Sequence, residues 1–442
     1  MRRRPRYLLI LVSLVAAAVL AAGGSGTWSA FSATSSTGSG AISSAADWTG
    51  PTATASVIAH SSKGAGVKAG GTYAIYANVT DAGNPASGVS TVNANVSSIT
   101  SGQTAVALTS CSTSCTVNGV TYAYKSAQLT AGSGLAAGSV NYTVSGKDAA
   151  NNAGSAQSFS VTVDNTAPVA GGASAAHAFA GALIKQNGSY WVYANVSDAG
   201  SGVDTVSANV TNISTGQTAV ALTACSSSCT VGGVTYGYKS AQLTSNTTLS
   251  AGSKTFTITA TDVAGNAIAT PASFTATVDN TGPSGTDVQT ANHGSTSGKA
   301  EAADTITLTR SEQLDPNSIL AGWTGASQNI VVRITNSGAN DIVTFWNSAN
   351  TTQLPLGSIN LGGAGYVSTN ATVTFGATGT ASTMLQSGAT LTITLGTPSG
   401  TTKTVTAKTG MIWTPSTTPT DLAGNASSGS AVSESGLSDV EF

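Results

Sequence analysis

The chain has 442 residues, of which 8% are charged and 40% hydrophobic, and a formal net charge of −2. Such thin charge excludes a nucleic-acid or anionic-lipid surface, which needs clustered Lys and Arg. Val, Ile, Leu and aromatic residues recurring at strand spacing exclude disorder, and the length suits about three domains.

The chain opens with a basic stretch, Arg2, Arg3, Arg4 and Arg6, followed by a 16-residue apolar run over 7–22. That run is short for a membrane span and fits the apolar region of a signal peptide. An uncleaved anchor helix is the alternative. The expectation is a signal helix over 1–29, removed on secretion and touching membrane only before cleavage, then a linker over 30–49. Without those four arginines, 12 Lys+Arg face 18 Asp+Glu, a net −6. The junction Gly23-Gly24-Ser25-Gly26-Thr27-Trp28-Ser29-Ala30-Phe31 resembles that of the TasA/camelysin class of bacterial surface proteins. The resemblance implies cleavage near Ser29/Ala30 and stops there; it implies no TasA-like fibre core. No second apolar run and no Leu-Pro-x-Thr-Gly sorting motif follow, so covalent wall anchoring has no support in the sequence.

An internal repeat organises the rest of the chain. Gly-Gln-Thr-Ala-Val-Ala-Leu-Thr at 102–109 recurs unchanged at 216–223, and 119–130 recurs at 233–244 with one change, Ala123 to Gly237. Both pairs lie 114 residues apart, as do the cysteines; Tyr76-Ala-Asn-Val79 and Tyr193-Ala-Asn-Val196 lie 117 apart, because the loop after Asp198 is three residues shorter. Residues 50–167 and 168–282 are therefore two copies of one domain, of the size of an Ig-like sandwich and too long for a solenoid unit. Tyr73, Ile75, Ala77 and Val79 alternate with Ala74, Tyr76, Asn78 and Thr80, the pattern of a half-buried strand. Residues 283–442 differ but alternate likewise, at Ile330/Val332/Ile334 and Leu391/Ile393/Leu395, and predict a larger sandwich with extra hairpins. The fold class expected is all-β: three tandem Ig-like sandwiches behind the signal helix.

Asp262-Val-Ala-Gly-Asn266 followed by a strand ending Val278-Asp-Asn-Thr-Gly-Pro283 resembles the C-terminal signature of tandem bacterial Ig-like surface domains. The first copy ends in Asp164-Asn-Thr-Ala-Pro168 but carries Asn151-Asn152 in the turn; the third domain has the turn alone, Asp421 to Asn425. The resemblance implies structural, adhesive or spacer roles.

Candidate sites are few. Cys111/Cys115 and Cys225/Cys229 read as disulfides within each copy, closing a three-residue hairpin tip in an oxidising compartment. Asp148, Asp262 and Asp421 open Asp-x-x-x-Asn turns, and Asp164 and Asp279 lie at domain junctions. These read first as turn-capping residues, because calcium needs six to eight oxygens. Calcium at the junctions is the alternative; no other cofactor is expected. His60, His177 and His293 form no recognisable triad, and neither His-Glu-x-x-His nor Gly-x-Ser-x-Gly occurs. Gly294-Ser-Thr-Ser-Gly298-Lys299-Ala300 has three residues between its glycines and lacks the Ser/Thr of a phosphate loop, so it reads as a loop. Tyr122/Tyr124 and Tyr236/Tyr238 alternate and are expected to share one strand face, as core or as a sugar-stacking platform. The expectation is a non-catalytic, secreted or surface-associated structural or adhesive protein. Cell-envelope or extracellular-matrix components are its expected partners, without nucleic acid. A secreted carbohydrate- or ligand-binding protein is the alternative.

Overall fold

The computed structural model describes residues 47–82, 85–113, 115–178, 181–436 and 440–442. The expected signal helix, its cleavage junction and most of the linker lie outside the described residues. The chain forms two compact units: residues up to Asn165 with Val263–Gly265, and Thr166–Asp262 with Asn266–Phe442.

In the first unit the strands are β1 (Thr52–Ala59), β2 (Thr72–Thr80), β3 (Val89–Asn95), β4 (Val106–Ser110) and β5 (Thr116–Val117). They continue as β6 (Val120–Thr121), β7 (Tyr124–Ser126), β8 (Leu129–Thr130), β9 (Gly138–Asp148) and β10 (Gln157–Val163). Hydrogen bonding runs β1-β2-β7-β4-β3-β9-β10. β1 also packs across the core onto β9 and β10. Four strands thus face three, in the Greek-key order of an immunoglobulin-like sandwich. The expected inward set Tyr73, Ile75, Ala77 and Val79 fills this core with Val92, Tyr142, Val144 and Val161.

Three expectations need correction. β2 is not half-buried: Ala74 and Tyr76 on its other face join Val117 and Tyr122 in a second small core. The cysteines do not close a hairpin between β4 and β5. β4 pairs with β3 and β7, whereas β5 pairs with β6 through a two-residue turn. Asn118 (φ 48°) and Gly119 (φ 76°) give that turn the left-handed geometry that matches strand twist. Residues 111–113 and 115–123 thus belong to a flap laid back over β2, its base closed by Cys111 N–H to Ala123 O at 2.8 Å and Tyr122 N–H to Cys115 O at 2.9 Å. Tyr122 and Tyr124 consequently do not share a face, because the chain breaks between β6 and β7. Tyr122 packs against Tyr76 under the flap, and Tyr124 against the main core.

The second unit opens with the second copy: β11 (Val169–Ala176), β12 (Leu183–Ile184), β13 (Ser189–Ser197), β14 (Val203–Asn209), β15 (Val220–Ala224) and β16 (Thr230–Val231). β17 (Val234–Thr235), β18 (Tyr238–Ser240), β19 (Leu243–Thr244), β20 (Gly252–Asp262) and β21 (Ala272–Val278) complete it. The order β11-β13-β18-β15-β14-β20-β21 repeats that of the first copy, and β12 adds a parallel edge to β21. Tyr193 and Tyr236 stack beneath its flap with ring centroids 5.8 Å apart.

The third sandwich comprises β22 (Gly285–Ala291), β23 (Thr305–Arg310), α1 (Pro316–Ile319), β24 (Gln328–Asn336), β25 (Asp341–Asn347) and β26 (Gln353–Asn360). After these come β27 (Thr372–Phe375), β28 (Ser382–Ser387), β29 (Thr390–Thr394), β30 (Ile412–Thr414) and β31 (Val432–Ser433). Its order is β22-β23-β29-β28-β24-β25-β26-β30-β31. The extra hairpin expected from the sequence is β25–β26, inserted between strands that would be neighbours in the smaller copies. The larger core holds Trp413, Phe345, Phe375 and Tyr366.

Candidate calcium sites at the sandwich ends

In the Greek-key order the start of the first strand, the end of the second and the end of the sixth meet at one end of the sandwich. A carboxylate stands at each place. In the first unit Asp47 precedes β1, Asp81 follows β2 and Asp148 ends β9; one oxygen from each lies within 4.8 Å of the others. In the second unit Asp279 precedes β22, Glu312 follows β23 and Asp421 lies between β30 and β31, again within 4.8 Å. In the second copy Asp198 and Asp262, 117 residues beyond Asp81 and 114 beyond Asp148, also approach within 4.8 Å.

Backbone amides hold each group in place. Asp421 is fully buried; its Oδ1 accepts from Ala423 N and Asn425 N at 2.8 Å, and its Oδ2 from Asn425 Nδ2 at 2.8 Å. Asp148 and Asp262 make the same loop with Asn152 and Asn266. Asp47 accepts from Thr49 N and Ser87 N, both at 2.9 Å, which hold its carboxyl down at about 2. Asp198 Oδ2 accepts from Gly202 N at 2.8 Å, while its buried Oδ1 has no hydrogen-bond partner. Glu312 is pushed up to about 7 by burial and then by the charges of Asp279 and Asp421.

The expected turn-capping role of Asp148, Asp262 and Asp421 is therefore present, and the same side chains stand in clusters that the sequence did not reveal. Asp47, Asp81, Asp198 and Glu312 were not picked out because each comes from a different loop, joined to the turn Asp only by strand order. The recurrence of Asp81 as Asp198, at the same 117-residue spacing as the strand before it, was the available signal.

The third-sandwich turn is also tied to the second copy within the same unit. Lys185 Nζ donates to Gly424 O at 2.5 Å, and Asn425 Nδ2 to Asp279 O at 2.9 Å. His177 donates from Nδ1 to Ser189 O at 2.8 Å, and its ring lies against Gly424. In the first unit Lys68 Nζ meets Gly265 O, and His60 Nδ1 donates to Thr72 O at 2.8 Å. His60 and His177 thus occupy equivalent packing positions, and His293 Nδ1 bonds Ala291 O at 3.2 Å.

The glycine loop at 294–300 is organised around an internal anion. Glu301 accepts from Ser295 N at 2.8 Å, Thr296 N at 2.9 Å and Lys299 Nζ at 2.8 Å, so its carboxylate occupies the place a phosphate would take. The structure joins Cys111 to Cys115 and Cys225 to Cys229, with Cα atoms 5.9 and 6.1 Å apart.

No known family profile matches the chain, and no curated protein sequence matches it. Among solved structures it is similar to the fibronectin(III)-like modules of Clostridium thermocellum CbhA, at 16% identity over 52% of this chain and 93% of that one, TM-score 0.25. A Ca2+-stabilized adhesin of an Antarctic bacterium matches at 16% identity over 88% of this chain and 99% of that one, TM-score 0.22. A tetra-tandem repeat from the extending region of a large adhesion protein matches at 14% identity over 87% and 91%, TM-score 0.18. At such scores these likenesses assign neither family nor activity.

Proposed function

We propose that this is a non-catalytic, secreted or cell-surface structural or adhesive protein whose Ig-like modules are stiffened by calcium bound at the carboxylate clusters. The observation that carries the reading is the cluster of Asp279, Glu312 and Asp421, three carboxyl groups within 4.8 Å of one another. At an effective dielectric of about 20, two unit charges roughly 4.8 Å apart repel by about 3.5 kcal/mol. Such a cluster stays closed either by taking up a proton or by holding a cation. Three carboxylates supply part of the six to eight hard oxygens that calcium requires, carbonyls and water the rest. Asp279 lies where the second copy passes into the third sandwich, so a bound cation would fix that passage. Modules stiffened in this way suit a spacer or adhesive role, and the sparse, mixed charge suits an extracellular setting.

Thermal unfolding of residues 30–442 tests the stiffening. At a calcium concentration 100 times Kd, binding to the folded state alone adds about 2.7 kcal/mol. Calcium should raise the melting temperature and chelator should lower it, with magnesium much weaker. Equal melting in calcium and chelator overturns the reading. Protease shaving of intact cells that leaves the protein untouched overturns surface exposure.

A further inference from the structure

The chain contains two Asn-Gly steps, Asn118-Gly119 and Asn187-Gly188, and the fold treats them differently. Asn118-Gly119 is the turn between β5 and β6, at the tip of the first flap. Both residues are exposed, and a Cβ added at Gly119 would meet nothing within 4 Å. Asn118 N–H donates to Ser62 O at 2.7 Å, but among the described residues neither the Asn118 carboxamide nor the Gly119 N–H makes a hydrogen bond. The ribbon beneath the turn has two rungs, Thr116 with Thr121 and Val117 with Val120, so the tip can open locally at small cost. Asn187 is exposed as well, yet Gly188 is buried and its N–H donates to Ser245 Oγ at 3.0 Å. A Cβ at Gly188 would lie 2.6 Å from Lys185 Cγ, so this amide has little room to move. In the second flap Gly232-Gly233 stands where the first has Asn118-Gly119, 114 residues earlier.

We propose that Asn118 is a site of spontaneous covalent modification, deamidation by attack of the Gly119 backbone amide, from which the fold protects Asn187 and which the second flap lacks. Nucleophile and electrophile belong to adjacent residues, so the reaction is intramolecular, and Gly119 has no Cβ to obstruct the approach. Gly119 N gives its proton to solvent and bonds to Asn118 Cγ. The bond from Cγ to Nδ2 breaks, and Nδ2 leaves as ammonia. Water then opens the succinimide. Addition at Cγ yields aspartate; addition at the main-chain carbonyl yields isoaspartate, with Gly119 N left on Cγ. The sequence 111–123 contains no charged residue, so either product gives the first flap its first charge. Isoaspartate also lengthens the main chain inside a two-residue turn, which loosens the rung at Val117, a buried member of the small core with Tyr76 and Tyr122. The two copies, alike when made, thereby diverge with age.

The test is to incubate residues 30–442 for weeks in mildly alkaline buffer and follow both sites by peptide mapping and mass spectrometry. Isoaspartate is scored by an isoaspartate-specific methyltransferase. Asn118 should convert at least ten-fold faster than Asn187 in the folded protein, and the two rates should converge in guanidinium chloride. Gly232→Asn should create a second reactive site in the second flap, a gain that misfolding elsewhere cannot place there. Intact Asn118 beside a converting Asn187, equal rates in the folded protein, a difference that persists in denaturant, or a Gly232→Asn residue that stays intact each overturns the proposal.

Discussion

Gly424 offers the sharpest test of how the turn of the third sandwich is seated. Its φ is +91°, and a Cβ there would lie 2.7 Å from His177 Nε2 and 2.9 Å from Cδ2. Neither partner can retreat: the imidazole is tied to Ser189 O, and Lys185 holds Gly424 O. Gly424→Ala therefore adds two costs, about 1–3 kcal/mol of backbone strain and about 1–3 kcal/mol of overpacking. Gly338 supplies the control, with φ +81° and no atom within 4 Å of an added Cβ. Gly338→Ala should carry the backbone cost alone. At about 2–4 °C per kcal/mol for a unit of this size, Gly424→Ala should melt roughly 2–12 °C below Gly338→Ala. In a His177→Ala background most of that gap should close, because the clash loses its partner. Scanning calorimetry of the four proteins decides the matter. Equal melting of the two alanine variants, or a gap that survives removal of the imidazole, would refute the seating of His177 on this turn.

Other outcomes rest on the same geometry. Reducing Cys111–Cys115 and Cys225–Cys229 should cost about 2 kcal/mol per bond, since each closes a very short loop, and should leave both sandwiches folded; non-reducing peptide mapping that links one copy to the other would contradict the pairing. Glu301 is held down at about 2, first by Lys299, against an ordinary 4.5. Its contribution is thus complete above pH 4.5 and is lost as pH falls toward 2. Glu301→Gln should flatten that part of the acid-stability curve, and an unchanged curve would dismiss the loop's internal anion. Phe345→Ala, which removes a fully buried ring from the third core, should cost about 3–5 kcal/mol. Hydrogen exchange should place the loss between residues 285 and 433, and exchange raised instead throughout β1–β10 would contradict separate cores.

Much of the fold could be read before any coordinate. Tyr73, Ile75, Ala77 and Val79 had the period of a strand, and the identical segments at 102–109 and 216–223 required two copies of one domain. What escaped was information held in strand order. Thr116–Val117 looked like the partner of β4 because it follows closely in sequence, yet the two-residue turn at Asn118-Gly119 pairs it with β6. The flap that results covers Ala74 and Tyr76, so a strand that reads as half-buried is buried on both faces. The carboxylate clusters escaped for the same reason. Asp81 lies 67 residues from Asp148, and only the Greek-key crossing brings their loops to one end. Alternation reports which face a side chain takes, and it is silent on which loops meet.

Calcium calorimetry on residues 30–442, beside Asp421→Asn and Asp148→Asn, tests calcium binding at the clusters most directly. The expected result is saturable binding with at least two equivalents per chain, one lost in each variant, and a calcium-induced rise in melting temperature that shrinks with each loss. Binding that does not saturate, or a stoichiometry unchanged by both substitutions, would contradict it.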